Sequence, residues 1–187
     1  MKGIVLIGAS RAAKSTFSQM LMQELKSCQI ISGDLVRLAY RDEIYKDKTV
    51  KARLMKEIPE YRKFLKSYFD YSVKYSESLY VILDTVDFKP EDYKLFENNI
   101  IIVFGYPDLT KEKCLANWRT YQDSKDWTRN KSDEMLLEKA EREIAKSQQF
   151  EKDSKKYKLK FVNTSFNREK VLTELLGWVK NELNKKQ

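Results

Sequence analysis

The segment Gly8-Ala9-Ser10-Arg11-Ala12-Ala13-Lys14-Ser15 constrains the fold of this 187-residue chain more than any other feature. It follows a short β-branched run, Gly3 to Ile7, and precedes a stretch with the periodicity of a helix face. The apolar positions of that stretch are Phe17, Met20, Leu21 and Leu25. A polar turn between a strand and a helix gathers consecutive backbone amides at the helix N-terminus, where the helix dipole adds a favourable potential for an anion.

The segment matches the pattern G-x-x-x-x-G-K-[ST] of the phosphate-binding P-loop at every fixed position but one. Gly8, Ala9, Ser10, Arg11, Ala12 and Ala13 are predicted to wrap the phosphates of a nucleotide. Lys14 is predicted to reach the β- and γ-phosphates, Ser15 to ligate Mg²⁺, and Thr16 to contact the α-phosphate.

Ala13 stands where the pattern has its second glycine. If that position requires a positive φ, the methyl group costs about 1 kcal/mol. A working loop is the favoured interpretation. Two alternatives stay open, a chance match with no nucleotide role and a loop that binds phosphate without turnover.

Strand-like runs alternate with helical patterns along the chain. Uncharged strands separated by helices indicate an α/β fold, a five-stranded parallel sheet sandwiched by helices. The predicted strands are Gly3 to Ile7, Ile30 to Ser32, Leu79 to Leu83, Ile100 to Phe104 and Lys160 to Val162, and the later helices cover about 134–153 and 168–184. Ligands of such folds bind at the carboxyl ends of the strands.

The chain is predicted to be a single domain, 1–187, with two additions. A helical insert covers about 35–78, is broken near Pro59 and is expected to bind the acceptor. A charged stretch with few apolar residues, about 120–133, is predicted to be a mobile lid.

From Gly8-Ala9-Ser10 through Lys14-Ser15-Thr16-Phe17 the chain resembles the P-loop small kinases, which include adenylate-kinase-like, shikimate-kinase-like and chloramphenicol-phosphotransferase-like enzymes. The resemblance implies ATP as phosphoryl donor, Mg²⁺ as cofactor, and a small hydroxyl- or phosphate-bearing acceptor.

This resemblance implies functional roles for four residues near the ends of predicted strands. Asp34 looks like the aspartate that orients and deprotonates the acceptor, with Arg37 and Asp87 as further acceptor contacts. Its structural alternative is a helix N-cap, since aspartate is favoured there. Asp84 resembles the carboxylate that holds Mg²⁺ through water, and its alternative is a turn-forming residue.

The resemblance also places residues at the far end of the nucleotide. Arg119 looks like the arginine that stacks on adenine, and Arg129 like a lid arginine that closes over the transferred phosphoryl group. Arginine suits both roles because its planar fork stacks on rings and binds phosphate bidentately. Thr164 and Ser165 lie where the adenine-contacting loop follows the last strand.

Composition limits the chemistry further. The chain has no histidine, so any general base is a carboxylate or a lysine. The formal charge of +8 favours anionic partners such as nucleotides. Two cysteines, the absence of a signal-like N-terminus and the lack of a long apolar run predict a cytoplasmic protein without a membrane span. The sequence does not indicate an oligomeric state.

Two other functions stay open beside a kinase. A nucleic-acid-directed enzyme or binder is suggested by the charge and by an aromatic stripe, although core packing is favoured for that stripe. Its members are Tyr61, Phe64, Leu65, Tyr68 and Phe69. A non-catalytic nucleotide sensor is suggested by Ala13.

Overall fold

Five parallel strands form one sheet in the computed structural model, which describes residues 3–47, 49–122 and 126–185. The strand order is β2-β3-β1-β4-β5. The strands are β1 (Gly3–Gly8), β2 (Cys28–Ser32), β3 (Tyr80–Asp84), β4 (Ile100–Gly105) and β5 (Lys160–Asn163). The predicted parallel sheet between helices is confirmed. Four strands extend one or two residues beyond their predicted ends, and β3 is shifted by one residue, from the predicted Leu79 to Leu83 to Tyr80–Asp84.

In the described residues, six α-helices cover the two faces of this sheet. They are α1 (Lys14–Glu24), α2 (Gly33–Ala39), α3 (Pro59–Tyr75), α4 (Lys111–Thr120), α5 (Asp133–Tyr157) and α6 (Arg168–Asn184). Three shorter helical segments complete the described elements, a π-helical one at Tyr40–Tyr45 and 3-10 helices at Ala52–Glu57 and Pro90–Phe96.

The central strands β1 and β4 are buried along their whole length, which explains their uninterrupted apolar sequences. One hydrophobic cluster lies where α1, α4 and α6 pack on the sheet, and it includes Phe17, Trp118, Leu172 and Val179. A second lies under α3 on the other face, and it includes Tyr61, Leu65, Phe69 and Phe88.

The segment predicted as an insert forms α2, α3 and the two short helices between them. Pro59 is the first residue of α3, a position where its missing N–H leaves no hydrogen bond unmade. The aromatic stripe divides between core and surface. Tyr61, Leu65 and Phe69 are fully buried, whereas Phe64 and Tyr68 are exposed.

Strand register brings three chain segments to one edge of the sheet. Asp84 pairs with Leu6 of β1 and with Ser32 of β2. Because all three strands run in the same direction, the loop after β1, the start of α2 and the carboxylate at the end of β3 lie side by side.

Candidate nucleotide and acceptor site

The loop between β1 and α1 begins at a glycine whose lack of a side chain is required. Gly8 has φ +154°, and a Cβ atom there would overlap the carbonyl oxygen of Phe104 on β4. The next amide, that of Ala9, donates to the same carbonyl at 3.1 Å. The chain therefore turns against the edge of β4 before it enters the loop.

Two residues of the loop have left-handed backbone conformations although neither is a glycine. Arg11 has φ 60° and Ala13 has φ 74°. For a residue with a Cβ atom this conformation costs about 1–2 kcal/mol. Position 13 therefore has the positive φ that the glycine of the P-loop pattern permits, and Ala13 adopts it at a cost.

Lys14 and Ser15 open α1 with their side chains held by specific partners. The Lys14 ammonium is buried and donates to the Ala9 carbonyl at 2.9 Å across the mouth of the loop. The Ser15 hydroxyl donates to Asp84 Oδ2 at 2.7 Å. Ser15, predicted from the P-loop pattern, and Asp84, predicted from the end of the third strand, are thus in direct contact.

Burial raises the pKa of Asp84, while the nearby Lys14 charge and the Ser15 hydrogen bond oppose that rise. A buried carboxylate is stabilised in its charged form by a cation. A serine hydroxyl beside a carboxylate is an oxygen donor set that fits Mg²⁺, which keeps several of its waters when it binds to proteins. Among the described residues, no group of three or more Cys, Asp or Glu side chains forms a closed metal cage.

Asp34 lies in the first turn of α2 but does not cap the helix. The N-cap is Ser32, whose hydroxyl accepts from the Leu35 amide at 3.4 Å. The N-cap alternative for Asp34 is therefore wrong. The Asp34 side chain is 67% exposed and pairs with Arg37 one turn later, so it faces open space at the edge of the sheet.

Arg37 bridges Asp34 and Asp87 through its two terminal nitrogens. Burial alone would lower the pKa of Arg37, but the two carboxylates outweigh it and raise that pKa. The Asp87 side chain is fully buried. It also accepts from Tyr61 Oη at 2.8 Å and from Thr85 Oγ1 at 3.0 Å. Asp87 is thus enclosed by donors and does not face open space, so this geometry favours a supporting role over direct acceptor contact.

A cavity of about 600 Å³ opens beside the loop, on the opposite side from Asp34. Its walls come from the loop and α1, from the end of α4, and from the segment that joins β5 to α6. They include Lys14, Ser15, Thr16, Asn117, Tyr121, Thr164, Ser165 and Phe166. The predicted residues Thr164 and Ser165 therefore line the same cavity as the loop.

The sequence prediction missed Arg168, the first residue of α6. Its guanidinium lies 5.1 Å from the centre of the Tyr121 ring and donates to Thr16 Oγ1 at 3.4 Å. Burial lowers the pKa of Arg168, with Tyr121 opposing. A cation and an aromatic ring thus share one wall of the cavity. The available signal was the position of Arg168 immediately after the loop that follows β5.

Arg119 does not line the cavity, so the geometry does not support stacking on a base there. Its guanidinium donates to Asp133, at 3.0 Å from Nε, and to the carbonyls of Thr128 and Lys131. Arg119 therefore braces the segment between α4 and α5. Arg129 lies in that segment with an exposed side chain, and its amide donates to the Asp126 carbonyl at 3.1 Å.

Arg11 connects the phosphate loop to the predicted lid. It forms an ion pair with Asp126 and donates to the carbonyls of Trp118 at 2.9 Å and Tyr121 at 3.1 Å. The lid prediction covers about 120–133. Its residues Asp123, Ser124 and Lys125 lie outside the described residues.

Glu143 of α5 contacts the loop in a way that no local pattern predicts. Its carboxylate accepts from the Ser10 amide at 2.8 Å, although the two residues are 133 positions apart. One turn later on α5, Lys146 is partly buried. That burial lowers the pKa of Lys146 to about 8, with Glu143 opposing and Lys14 and Lys56 adding to the fall.

Within the described parts of the chain, none of the helices has the length and apolar character needed to cross a membrane.

No protein-family model matches the sequence, and no curated protein matches it. Several solved structures are similar to this chain. A shikimate kinase from Bacteroides thetaiotaomicron has 14% sequence identity and a TM-score of 0.60, and the alignment covers 96% of this chain and 98% of that one. A candidate kinase from Chloroflexus aurantiacus has 15% identity and a TM-score of 0.58, with 100% and 98% covered.

These likenesses define the class of fold. The chain has the shikimate-kinase-like P-loop fold, with a five-stranded parallel sheet, a phosphate-loop sequence after β1 and an aspartate at the end of β3.

Proposed function

We propose that this chain is an ATP-dependent phosphotransferase that moves the γ-phosphoryl group to a small acceptor bearing a hydroxyl or a phosphate. The observation that carries the proposal is the meeting of Lys14, Ser15 and Asp84 beside a loop of backbone amides. Their chemistry is that of triphosphate binding, with an ammonium for the β- and γ-phosphates and two oxygen donors for Mg²⁺.

The donor nucleotide would occupy the 600 Å³ cavity, with its phosphates at Lys14 and its base toward Tyr121 and Arg168. That volume is within the range of small-molecule sites. The ring and the guanidinium offer flat surfaces for a base, a role for which Arg119 is not positioned. Thr164 and Ser165 would contribute mainly backbone groups, since the Thr164 hydroxyl already donates to Gly105 and the Ser165 hydroxyl accepts from Asp108.

The acceptor would bind on the α2 side, where Asp34 is exposed. Its carboxylate would accept a hydrogen bond from the acceptor hydroxyl, orient the oxygen toward the γ-phosphate and take up its proton. Arg37 would hold Asp34 in place, because one end of its guanidinium is fixed by the buried Asp87. Bound Mg²⁺ would supply charge neutralisation of the phosphates. The exposed guanidinium of Arg129 would contribute positive charge to the transferred group.

The test is transfer of label from γ-³²P-ATP to a panel of hydroxylated and phosphorylated metabolites. Asp34→Asn is expected to leave ATP affinity unchanged and to slow transfer about 10²- to 10⁴-fold, the usual contribution of a general base. Glu77→Gln removes an exposed carboxylate before β3 and serves as the matched control. Equal transfer by Asp34→Asn and the natural protein would assign Asp34 a purely structural role.

A nucleotide sensor is the second candidate, and two observations favour it. Ala13 holds a left-handed backbone at a cost, and the Glu143 carboxylate occupies the Ser10 amide. Measurable transfer by the natural sequence would exclude pure sensing. A nucleic-acid-directed function has weaker support, since Tyr61 of the predicted aromatic stripe is buried in the core and only Phe64 and Tyr68 of that stripe are exposed.

A further inference from the structure

Helix α5 turns a charged face toward the loop. Lys139, Glu143 and Lys146 are spaced by four and three residues, so they share one side of the helix over about 10 Å. The hydrogen bond from the Ser10 amide to Glu143 fixes the direction of this side. Lys139 and Lys146 therefore flank the point where α5 meets the phosphate loop.

The 3-10 segment Ala52–Glu57 contributes cations to the same region. The ammonium of Lys139 interacts electrostatically with Arg53, Arg142 and Lys56, and Lys56 also acts on Lys146. Five basic side chains from these two elements are thus coupled electrostatically, a set we call the α5 basic cluster: Arg53, Lys56, Lys139, Arg142 and Lys146.

Few carboxylates offset this cluster. Glu143 is engaged by the Ser10 amide, and Asp87 is enclosed by Arg37, Tyr61 and Thr85. Among the residues that the structure describes, neither Lys139 nor Lys146 has a carboxylate within salt-bridge distance. Their ammonium groups instead lie over aromatic rings, at 3.6 Å from the centre of Trp127 and 5.1 Å from that of Phe150.

Partly buried lysines without a counter-ion destabilise a fold, since removing a charge from water is costly. Burial lowers the pKa of both Lys139 and Lys146. Arg37, the cation first expected to meet an anionic acceptor, is already bound by Asp34 and Asp87. Within the described parts of the chain, Lys139 and Lys146 are thus cations beside the contact between α5 and the loop that form no ion pair, while Lys56 of the same cluster pairs with the exposed Glu57 at 3.8 Å.

We propose that the α5 basic cluster binds a phosphate group that the acceptor already carries, so that the substrate is a phosphate monoester and not a neutral alcohol. The inference rests on the proposed phosphotransferase function, which it narrows to one substrate class. Lys139 and Lys146 would hold the ester phosphate on the α5 side of the loop, while a hydroxyl or phosphate oxygen of the same molecule points to the γ-phosphate.

The experiment measures ligand binding, not turnover. The natural protein is saturated with a non-hydrolysable Mg²⁺-ATP analogue, which fills the loop. It is then titrated by calorimetry with matched pairs of alcohol and phosphate ester, such as glycerol and glycerol phosphate, ribose and ribose phosphate, and nucleosides and their monophosphates. We expect at least one ester to bind at least tenfold more tightly than its alcohol. No preference for an ester anywhere in the panel would overturn the proposal.

Two double variants localise the binding. Lys139→Ala/Lys146→Ala should weaken ester binding about tenfold or more, since each lost charge-assisted hydrogen bond is worth about tenfold. It should weaken the ATP analogue less, by about fivefold at most, through the longer-range loss of positive charge near the loop. Lys152→Ala/Lys156→Ala removes the same charge from exposed positions of α5 and should change neither affinity. Lys146→Arg keeps the charge, is expected to retain ester binding, and guards against loss of the fold. Equal ester affinity in the first variant and the natural protein would contradict the assignment.

The two proposals can fail separately. If the ATP analogue does not bind but an ester binds in a manner that depends on Lys146, the phosphotransferase function is wrong and the phosphate site stands. If the analogue binds and label is transferred to an unphosphorylated alcohol in preference to its ester, the function stands and the substrate class is wrong.

Discussion

Replacing Tyr61 with phenylalanine tests the hydrogen-bond arrangement that holds Arg37. Burial and the neighbouring Asp87 raise the pKa of Tyr61 far above its usual range, so the phenol stays protonated and donates to Asp87 at 2.8 Å. Tyr61→Phe keeps the ring, which packs edge-on at 5.3 Å against Tyr40. The change therefore removes one donor from a fully buried carboxylate, together with the longer contact of the same hydroxyl to the Gly33 carbonyl at 3.2 Å.

The expected loss can be estimated from the bond to Asp87, because the phenol has one proton to donate and Asp87 is the closer, charged acceptor. A hydrogen bond to a charged group contributes about 1.5–3 kcal/mol, so we expect the free energy of unfolding to fall by about 2 kcal/mol. For a chain of this size such a loss lowers the melting temperature by about 4–8 °C. Urea denaturation followed by circular dichroism gives the first quantity and a thermal scan the second.

Tyr71→Phe is the matched control, because its hydroxyl belongs to a side chain that is 63% exposed. It should change the free energy of unfolding by less than about 0.5 kcal/mol. If Tyr61→Phe is equally harmless, the Asp87 carboxylate does not depend on the phenol, and the account of how Arg37 and Asp34 are held is wrong.

Three further predictions concern the loop and its surroundings. Glu143→Gln removes a negative charge at the Ser10 amide and should tighten ATP binding about fivefold in calorimetry; unchanged or weaker binding would show that the carboxylate does not oppose the phosphates. Ala13→Gly removes left-handed strain of about 1–2 kcal/mol, but it also loses a buried methyl group and makes the unfolded chain more flexible. The free energy of unfolding should therefore change by less than about 1 kcal/mol, while ATP affinity rises several-fold. Equal ATP affinities in the variant and the natural protein would mean that the Ala13 methyl group does not obstruct the phosphates. Partial burial lowers the pKa of Lys146 from 10.5 to about 8 in the folded protein. Below pH 8 the buried charge therefore destabilises the folded state by its full amount, and this destabilisation disappears as the pH rises from 8 toward 10.5. Lys146→Met should accordingly be more stable than the natural protein by up to about 3 kcal/mol at pH 7, with a difference that shrinks in urea titrations at pH 9 and 10; a difference independent of pH would refute the buried charge.

The sequence predicted the features that depend on neighbouring residues. The loop, the five strands and the aspartate at the end of β3 all have local signals: a glycine before a helical pattern, uninterrupted apolar runs, and a polar residue that ends a strand. Parallel strands then bring Asp84 to Ser15 without further information, because their carboxyl ends share one edge of the sheet.

Features that depend on packing between distant elements could not be predicted in this way. The Ser10 to Glu143 contact joins the loop to the middle of α5, and nothing in either segment identifies the other. Arg119 and Arg168 are both arginines near loops, yet Asp133 binds one while the other faces the cavity. Which residues of the aromatic stripe on α3 are buried likewise depends on where the sheet lies relative to the helix. Tyr61 is buried in the core, whereas Phe64 is exposed to solvent.

The central claim is that the loop after β1 holds the triphosphate of a nucleotide through its amides and Lys14. Calorimetric titration of Mg²⁺-ATP into the natural protein and into Lys14→Ala tests it most directly. We predict binding by the natural protein and an affinity at least about tenfold weaker in the variant, because the buried ammonium is removed from the mouth of the loop. Equal affinity in the two proteins, or no binding by either, would contradict the account.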